Sequence, residues 1–370
     1  MSNAEVLRHD ESLMRMALEE ARKGRYIAPP NPAVGCVLVR DGQIIARGHT
    51  HAPGSRHAEV DAIENALAAG ISVEGATAYV TLEPCSHYGR TPPCALRLIK
   101  EKIRRVVVGV LDPNPLVAGR GVAMLREAGV EVLTGVLEKE CFESNIGFLT
   151  RMKTGLPWVR MKVAASLDGR TALANGLSQW ITGPSAREDG QRLRARAQGL
   201  LTGIGTVLAD DPQMNVRCDA SLPSPAKYIF DTRARTPVTA RILQGAPATV
   251  FVGTDAWDAD VRALENAGAR VVALPLNANG HIELASAVKA IGDDAVNELH
   301  VEAGAGLNGG LLAAGLVDEI VCYAAPAMIG RGPGWANLPE FRTMDEIFRW
   351  HFHEVLPVGE DLRIVLRKTV

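Results

Sequence analysis

Residues 33–70 read AVGCVLVRDGQIIARGHTHAPGSRHAEVDAIENALAAG. Two strand-like runs, AVGCVLVR and QIIARG, flank Asp41-Gly42, a dipeptide whose backbone accepts the positive φ angles of a two-residue hairpin turn. HAEVDAIENALAAG then carries the apolar spacing of a helix that stops at Gly70. Upstream, Leu13, Met14, Met16, Ala17, Leu18 and Ala21 favour one face of a first helix, with Gly24 at its stop. Downstream, strand and helix alternate through ATAYVTL, CALRLIKEK, RRVVVGVLD, GVAMLREAG and VEVLTG. A hairpin followed by this alternation predicts a mixed sheet in a three-layer α/β domain over residues 1–146.

The stretch GFLTRMKTGLP is basic and carries Gly and Pro, so a linker is expected at 147–157, ahead of a second α/β domain at 158–370. Its strand candidates are WVRMKVAASLDG, AQGLLTGIG, AKYIFDT, ATVFVGT, RVVALP, ELHVEAG and DEIVCYAAP. Two domains suit a chain of 370 residues. Forty basic against 42 acidic residues leave a net charge of −2, which gives no general electrostatic case for nucleic acid or an anionic membrane. No apolar run approaches the ~18 residues of a membrane span, and MSNAEVLRHDESL is too polar for a signal peptide. Six cysteines in a chain this long make no disulfide framework. A cytoplasmic enzyme with neither nucleic acid nor membrane as partner is expected.

Three pieces of the first half belong together. His57-Ala58-Glu59 opens a helix, Pro84-Cys85 follows a strand, and Pro93-Cys94 opens the next helix. One imidazole and two thiolates form an open tetrahedral zinc site, whose fourth corner is left for water. Zinc lowers the pKa of that water to about 7, and helix N-termini at the cluster favour thiolate at Cys85 and Cys94. Glu59, two residues after the ligand, can lie near the metal without binding it and move protons. His57, Cys85, Cys94 and Glu59 thus carry the H-x-E…P-C…C pattern of zinc deaminases. A buried structural histidine with core-filling cysteines would not explain the whole set. The cysteines are separated by SHYGRTPP instead of a tight C-x-x-C; this loop carries His87 and Arg90 and suits a phosphorylated substrate. Asn31 and His49 are further candidates for the pocket, Asn31 being equally readable as a turn residue. His51 is read as a loop residue, since a fourth ligand would abolish hydrolysis.

In the second half, Gly304, Gly306 and Gly309 form G-x-G-x-x-G between strand and helix. Such a turn offers backbone amides to a pyrophosphate, but no acidic residue ends a further strand about 20 residues on, as a Rossmann unit requires. Tight strand–helix packing explains the glycines equally well. Lys162, Ser178, Trp180, Arg194, Thr206, Asp210 and Arg217 add polar or aromatic groups to apolar runs. Trp180 offers a flat face beside a ring or packs in a core. Arg194 and Arg217 clamp a phosphate or are solvated charges.

PNPAVG, HAE, TLEPCSHYGRTPPC and DPNPLVAGRG, followed by ASLDGRTA, SQWITGPSAR, TVLADDP and VEAG, resemble the RibD family, the fused pyrimidine deaminase and reductase of bacterial riboflavin biosynthesis. The match runs in order over nearly the whole chain. It implies a cytidine-deaminase-like first domain and a dihydrofolate-reductase-like second domain, the latter binding NADPH without a Rossmann unit. The implied reactions are hydrolysis of the 2-amino group of 2,5-diamino-6-ribosylamino-4(3H)-pyrimidinone 5′-phosphate, then reduction of ribosyl to ribityl, giving 5-amino-6-ribitylaminouracil 5′-phosphate.

By the same resemblance, His57, Cys85 and Cys94 bind Zn2+ and Glu59 shuttles protons. Ala164, Trp180, Thr206, Asp210 and Thr232 are implied NADPH contacts. So is the glycine stretch Gly304, Ala305, Gly306, Leu307, Asn308, Gly309 and Gly310. Ser178, Arg194, Met214, Arg217 and Glu302 are implied substrate contacts; the family commonly has Leu where this chain has Met214, a near volume-conserving change. The GHTHAPGSRH segment varies within the family. Lys162 and Asp210 are candidates for supplying the proton during reduction. A homo-oligomer, dimer or tetramer, built through the reductase domain is the expected assembly. Arg233 and Arg235 are placed to meet a cofactor 2′-phosphate or to be solvated, and His351 and His353 are read as surface residues on a strand. The rival readings are an RNA base deaminase with a nucleotide-binding accessory domain and a non-catalytic zinc-stabilised nucleotide-binding protein.

Overall fold

The computed structural model describes residues 3–88, 92–115 and 117–368, and divides into two units, residues 1–155 and 156–370. The first unit runs α1 (Asn3–Gly24), β1 (Gly35–Arg40), β2 (Gln43–His49), α2 (Ala58–Ala68), β3 (Thr77–Leu82), α3 (Cys94–Lys100), β4 (Arg105–Val110), α4 (Arg120–Glu127), β5 (Glu131–Thr134), α5 (Glu138–Ser144) and α6 (Ile146–Thr154). Its sheet has the order β2-β1-β3-β4-β5, antiparallel on the hairpin side and parallel from β3 to β5. The hairpin turn sits on Asp41 and Gly42, at φ 52° and 75°, as their side chains permit.

Two glycines set the layers. A Cβ on Gly35 would lie 1.8 Å from the Ala17 carbonyl oxygen, so α1 presses directly on β1. A Cβ on Gly48 would meet the Ala62 nitrogen at 2.3 Å, so α2 presses equally closely on β2. Gly48 pairs with Cys36, one residue beyond Gly35, and successive strand residues point to opposite faces, so α1 and α2 cover opposite sides of the sheet. The close seat of α2 carries His57 and Glu59 to the sheet's edge of the core.

The expected linker at 147–157 is not one. Residues 146–154 form α6, whose Ile146, Leu149 and Met152 recur every three residues, and Phe148 and Leu149 join the first core. The helix ends at Gly155 in the left-handed conformation, and the division between units follows it.

The second unit runs β6 (Trp158–Ser166), α7 (Pro184–Arg196), β7 (Gly199–Gly203), α8 (Ile204–Asp210), β8 (Ala226–Phe230), a 3-10 turn (Arg241–Leu243), β9 (Ala248–Gly253), α9 (Asp258–Asn266), β10 (Arg270–Leu274), α10 (Leu284–Asp293), β11 (Glu298–Val301), α11 (Ala305–Ala313), β12 (Glu319–Ala325), β13 (Trp350–Val358) and β14 (Asp361–Lys368). The sheet order is β10-β9-β8-β7-β11-β6-β12-β14-β13. Strands β10 through β12 are parallel, and the β13–β14 hairpin closes one edge antiparallel. Tyr228 and Phe230 enter one core and Ile229 another, the alternation of a sheet buried on both faces.

Arg160, fully buried on β6, lies between Glu298 and Glu319. Arg196 bonds Glu298 at 2.9 Å and Arg367 bonds Glu319 at 3.0 Å. Burial, the largest single influence, would raise both carboxyls, but the combined charges and hydrogen bonds of Arg196 and Arg160 at Glu298, and of Arg160 with the charges of Arg367 and Arg196 at Glu319, outweigh it, and Glu319 is held at about 2.

Candidate active sites

His57 is the N-cap of α2 and Cys94 the first residue of α3, while Cys85 follows β3. The His57 Nδ1 lies 3.7 Å from the Cys85 Sγ and 3.3 Å from the Cys94 Sγ, and the three ligand atoms all fall within 4.8 Å of one another. Zinc–sulfur bonds of about 2.3 Å and zinc–nitrogen bonds of about 2.0 Å at tetrahedral angles need nitrogen–sulfur separations near 3.5 Å, so the donors present fit zinc. The Cys94 thiol hydrogen-bonds Cys85, and its backbone N–H donates to the Cys85 sulfur at 3.3 Å. Those bonds hold Cys85 down at about 4, while the shared proton and burial push Cys94 up.

Glu59, 3 % exposed, lies in the first turn of α2 within hydrogen-bonding reach of Cys94. Burial, followed by the charge on Cys85, pushes its carboxyl up to about 7. A second carboxylate, Glu83, braces the turn. Its Oε2 accepts from the Asp112 and Gly119 N–H groups at 3.2 and 3.0 Å, and its Oε1 accepts from Val122 at 3.1 Å. Gly121 makes room for this contact, since a Cβ there would lie 2.0 Å from the Pro84 carbonyl oxygen. DPNPLVAGRG thus serves to hold Pro84-Cys85.

The segment carrying Asn31 is braced by Asn145, which accepts from the Ala33 N–H at 2.8 Å and donates to its carbonyl at 2.9 Å. The His49 ring stacks at 4.5 Å on that of His51, and burial and then His51 hold His49 below its ordinary pKa. His51 is not in the zinc trio. Its Nε2 sits 3.0 Å from Asp61, which also receives the His49 N–H at 3.2 Å and lies 3.7 Å from Arg56. His87 is partly exposed after Cys85, and Arg90 lies outside the described residues.

In the second unit, a cavity of about 560 Å³ gathers many of the residues named from the sequence. Lys162 and Ala164 come from β6, Thr206 and Asp210 from α8, and Trp180 from the loop between β6 and α7. Arg194, Met214, Arg217 and Glu302 line it as well. Arg194 forks onto Glu302 at 2.8 and 3.0 Å and donates to the Asn215 carbonyl at 2.6 Å. Burial opposes the charge on Glu302, but Arg194 and then His300 hold its pKa well below the usual range. His300, fully buried, places its Nε2 3.3 Å from Glu302. The Arg187 guanidinium stacks 4.4 Å from the centre of the exposed Trp180 ring.

The glycine stretch divides. Gly304, Ala305 and Asn308 line the cavity, and a Cβ on Gly304 or Gly306 would meet open space. The N-terminus of α11 therefore offers a bare cradle that fits the phosphates of a dinucleotide. Gly309 is a packing glycine, because a Cβ there would lie 1.9 Å from the Asn337 carbonyl oxygen. Leu307 packs into the core and against Gly203, and a Cβ on Gly310 would meet Leu284 at 3.1 Å. Ser178 is exposed beside the lining Gln179, and the Thr232 carbonyl accepts from the Gly253 N–H in the turn after β8, outside the cavity wall. Arg233 is spent on Asp255 at 3.0 Å, and Arg235 is exposed. His351 and His353 are exposed on β13.

The comparisons agree with both halves. The family described as cytidine and deoxycytidylate deaminase zinc-binding region matches residues 7–110, and that described as RibD C-terminal domain matches residues 157–364. The riboflavin biosynthesis protein RibD of Escherichia coli (strain K12) is 42 % identical to this chain, the match covering 95 % of this chain and 98 % of the relative. This chain belongs to the RibD family. The RibD of Haemophilus influenzae is 40 % identical over 95 % of each chain. Among solved structures, Acinetobacter baumannii RibD (form 1) superposes with a TM-score of 0.89 at 41 % identity, covering 98 % of this chain and 100 % of that one. A deaminase/reductase of Thermotoga maritima superposes with a TM-score of 0.86 at 30 % identity, covering 98 % and 99 %. As a member of the RibD family the chain is a bifunctional enzyme of riboflavin biosynthesis, a zinc-dependent deaminase in its first unit and an NADPH-dependent reductase in its second.

Gln179, Gln213, Arg241 and Trp335 also line the RibD-type reductase cavity and were not singled out from the sequence. Three come from loops and Arg241 from the short 3-10 turn, where no periodicity marks them. Among the described residues no helix is long and apolar enough to cross a membrane.

Proposed function

We propose that this chain performs the two reactions named in the Thermotoga maritima relative's description, diaminohydroxyphosphoribosylaminopyrimidine deaminase and 5-amino-6-(5-phosphoribosylamino)uracil reductase, with the residue roles that follow. The observation that carries the reading is the His57, Cys85 and Cys94 trio with the buried Glu59 beside it. His57, Cys85 and Cys94 hold zinc, and Asn31 and His49 bind the pyrimidine. When bound, zinc supplies the Lewis acidity that makes water acidic near neutral pH, and NADPH supplies a hydride. Glu59 takes a proton from water and passes it to the amine at C2. The water oxygen bonds to C2, the C2–amine bond breaks, and ammonia leaves as that oxygen becomes the carbonyl.

In the reductase, the ribosylamine ring opens to an imine at C1′, which accepts the hydride while nitrogen accepts a proton. Lys162 and Asp210 supply that proton. Ala164, Trp180, Thr206, Asp210, Thr232 and residues 304–310 hold the cofactor, residues 307, 309 and 310 by shaping the backbone. Ser178, Arg194, Met214, Arg217 and Glu302 hold the sugar phosphate. Arg194 arrives pre-oriented by its fork onto Glu302, which lowers the cost of ordering it on binding. The deaminase domain ends at Gly155 in this assignment.

The substrate is a small phosphorylated pyrimidine in a cytoplasmic setting. Self-association is assigned to the edge strand β13, where Phe352 is 72 % and Val355 52 % exposed; a monomeric mass in solution would count against it. The deciding assay supplies the diaminopyrimidinone phosphate and follows ammonia release and NADPH oxidation separately, with zinc content measured alongside. Zinc-containing protein that releases no ammonia would overturn the deaminase roles.

A further inference from the structure

Arg241 stands at the wall of the second cavity with no ion-pair partner among the described residues. Its neighbours there include Arg217, whose only side-chain bond among the described residues is from Nη1 to the Asn215 Oδ1 at 2.9 Å. Partial burial, then repulsion from Arg194 and to a smaller degree from Arg241, lowers the Arg217 pKa against the attraction of Glu302. Arg194 pairs with Glu302, so Arg217 and Arg241 are left on the same cavity lining with no carboxylate at ion-pair distance among the described residues. Clustered guanidiniums repel each other until an anion bridges them.

The backbone beneath Arg241 is held with unusual firmness. The Arg241 N–H donates to the Asp211 Oδ1 at 2.8 Å, tying the residue to the end of α8, whose Thr206 and Asp210 line the same cavity. The next side chain, Ile242, is fully buried in the core. Lys227, 1 % exposed on β8, donates its ammonium to the Ile242 carbonyl at 2.9 Å and to the Gln244 carbonyl at 2.5 Å. A lysine buried against carbonyls alone is expensive. Here it pins residues 241–244 and so fixes where the Arg241 side chain emerges.

We propose that Arg241 completes, with Arg217, a subsite for the terminal phosphomonoester of the reductase substrate, and that it sets the preference for a phosphorylated over an unphosphorylated sugar chain. The inference rests on the reductase reading above. The dianion bridges the two forks through charge-assisted hydrogen bonds, which are short and strong. The substrate's phosphate is favoured over a phosphate on the cofactor because Arg217 shares its loop with Met214 and with Asn215, whose carbonyl receives Arg194. The bare glycine cradle lies instead at the start of α11.

The test uses the full chain carrying Arg241→Ala or Arg241→Lys. NADPH oxidation is measured with 5-amino-6-(5-phosphoribosylamino)uracil and with the same compound after enzymatic dephosphorylation. Arg241→Ala should raise KM for the phosphorylated compound about 10- to 100-fold, the range for a lost charge-assisted bond. It should leave kcat within about threefold, and leave the dephosphorylated compound, the NADPH KM and ammonia release unchanged. Arg241→Lys should recover part of the loss, since it keeps the charge but not the fork. Equal losses on both compounds would overturn the subsite. So would a loss confined to NADPH and absent with NADH, which would assign Arg241 to the cofactor's phosphate. Wild-type chain that oxidises NADPH with neither compound would overturn the reductase reading and the subsite together.

Discussion

The two units build their sites from different materials. The first brings four side chains together from two helix starts and a strand end, and each must be a particular chemical type: an imidazole, two thiolates, a carboxylate. The second spreads its cavity over strands, helices and loops, and part of the wall is bare backbone at Gly304. A metal site tolerates few substitutes for its ligands. A dinucleotide cleft needs shape and amide donors, which many residues supply. The deaminase should therefore fail sharply at single positions, and the reductase by degrees.

The sharpest break is expected at Cys94. Cys94→Ser should reduce zinc content and ammonia release to background, while NADPH oxidation with the deaminated substrate stays within about twofold. If both activities fall together, the independence of the two sites is wrong. Glu59→Gln should keep the zinc and lose ammonia release by about 10²- to 10⁴-fold, the range for a positioned proton carrier. Metal analysis beside the ammonia assay separates the two variants.

Next in size is the buried ion network of the second unit. Arg160→Ala strands Glu298 and Glu319 without their shared cation and should cost about 3–5 kcal/mol in urea unfolding, the usual penalty for breaking a buried pair. Glu319 sits at about 2 in the folded chain, below its ordinary 4.5. The stability it contributes is present above the ordinary value and disappears as pH falls toward 2.

Within the glycine stretch the comparison becomes finer. Gly309→Ala should destabilise by about 1–3 kcal/mol, because its Cβ collides with the Asn337 backbone. Gly304→Ala should change stability by less than about 0.5 kcal/mol yet raise the NADPH KM several-fold, because the new methyl enters the open cradle. Equal destabilisation by both would erase the distinction between a packing and a cradle glycine.

Asp318, beside Glu319, is shifted the opposite way: burial raises it from 3.8 to about 6. The folded chain then holds more protons than the unfolded one between those values, so its contribution to stability falls as pH rises from 4 to 6. Asp318→Asn keeps an oxygen to accept the Val159 N–H and should flatten that dependence by about 2 kcal/mol, read from chemical unfolding at pH 4 and pH 7.

What was legible in the sequence follows the same division. The hairpin at Asp41-Gly42, the helix after His57, the strands of the first sheet and β6 to β12 of the second are where periodicity and turn chemistry put them, whereas β14 was not among the strand candidates. His57, Cys85 and Cys94, whose ligand atoms the structure brings within 4.8 Å of one another, stood out because these residue types in that order have little other reason to occur together. Helix α6 was missed because Gly147, Arg151 and Lys153 masked the three-residue recurrence of Ile146, Leu149 and Met152. Glu83 was missed because its three partners are backbone amides some 30–40 residues away, which no local pattern announces. Arg241 was missed because its nearness to Arg217 depends on the strand order of the second sheet, and a single sequence does not state that order.

The brace at Glu83 has a practical corollary for metal exchange. Three main-chain donors clamp the Pro84 turn through a carboxylate that is not itself a ligand, so the geometry around Cys85 does not depend on the ion for its support. Stripping the protein with a chelator should leave a folded vessel that regains ammonia release on simple resupply of zinc, without a passage through the denatured chain.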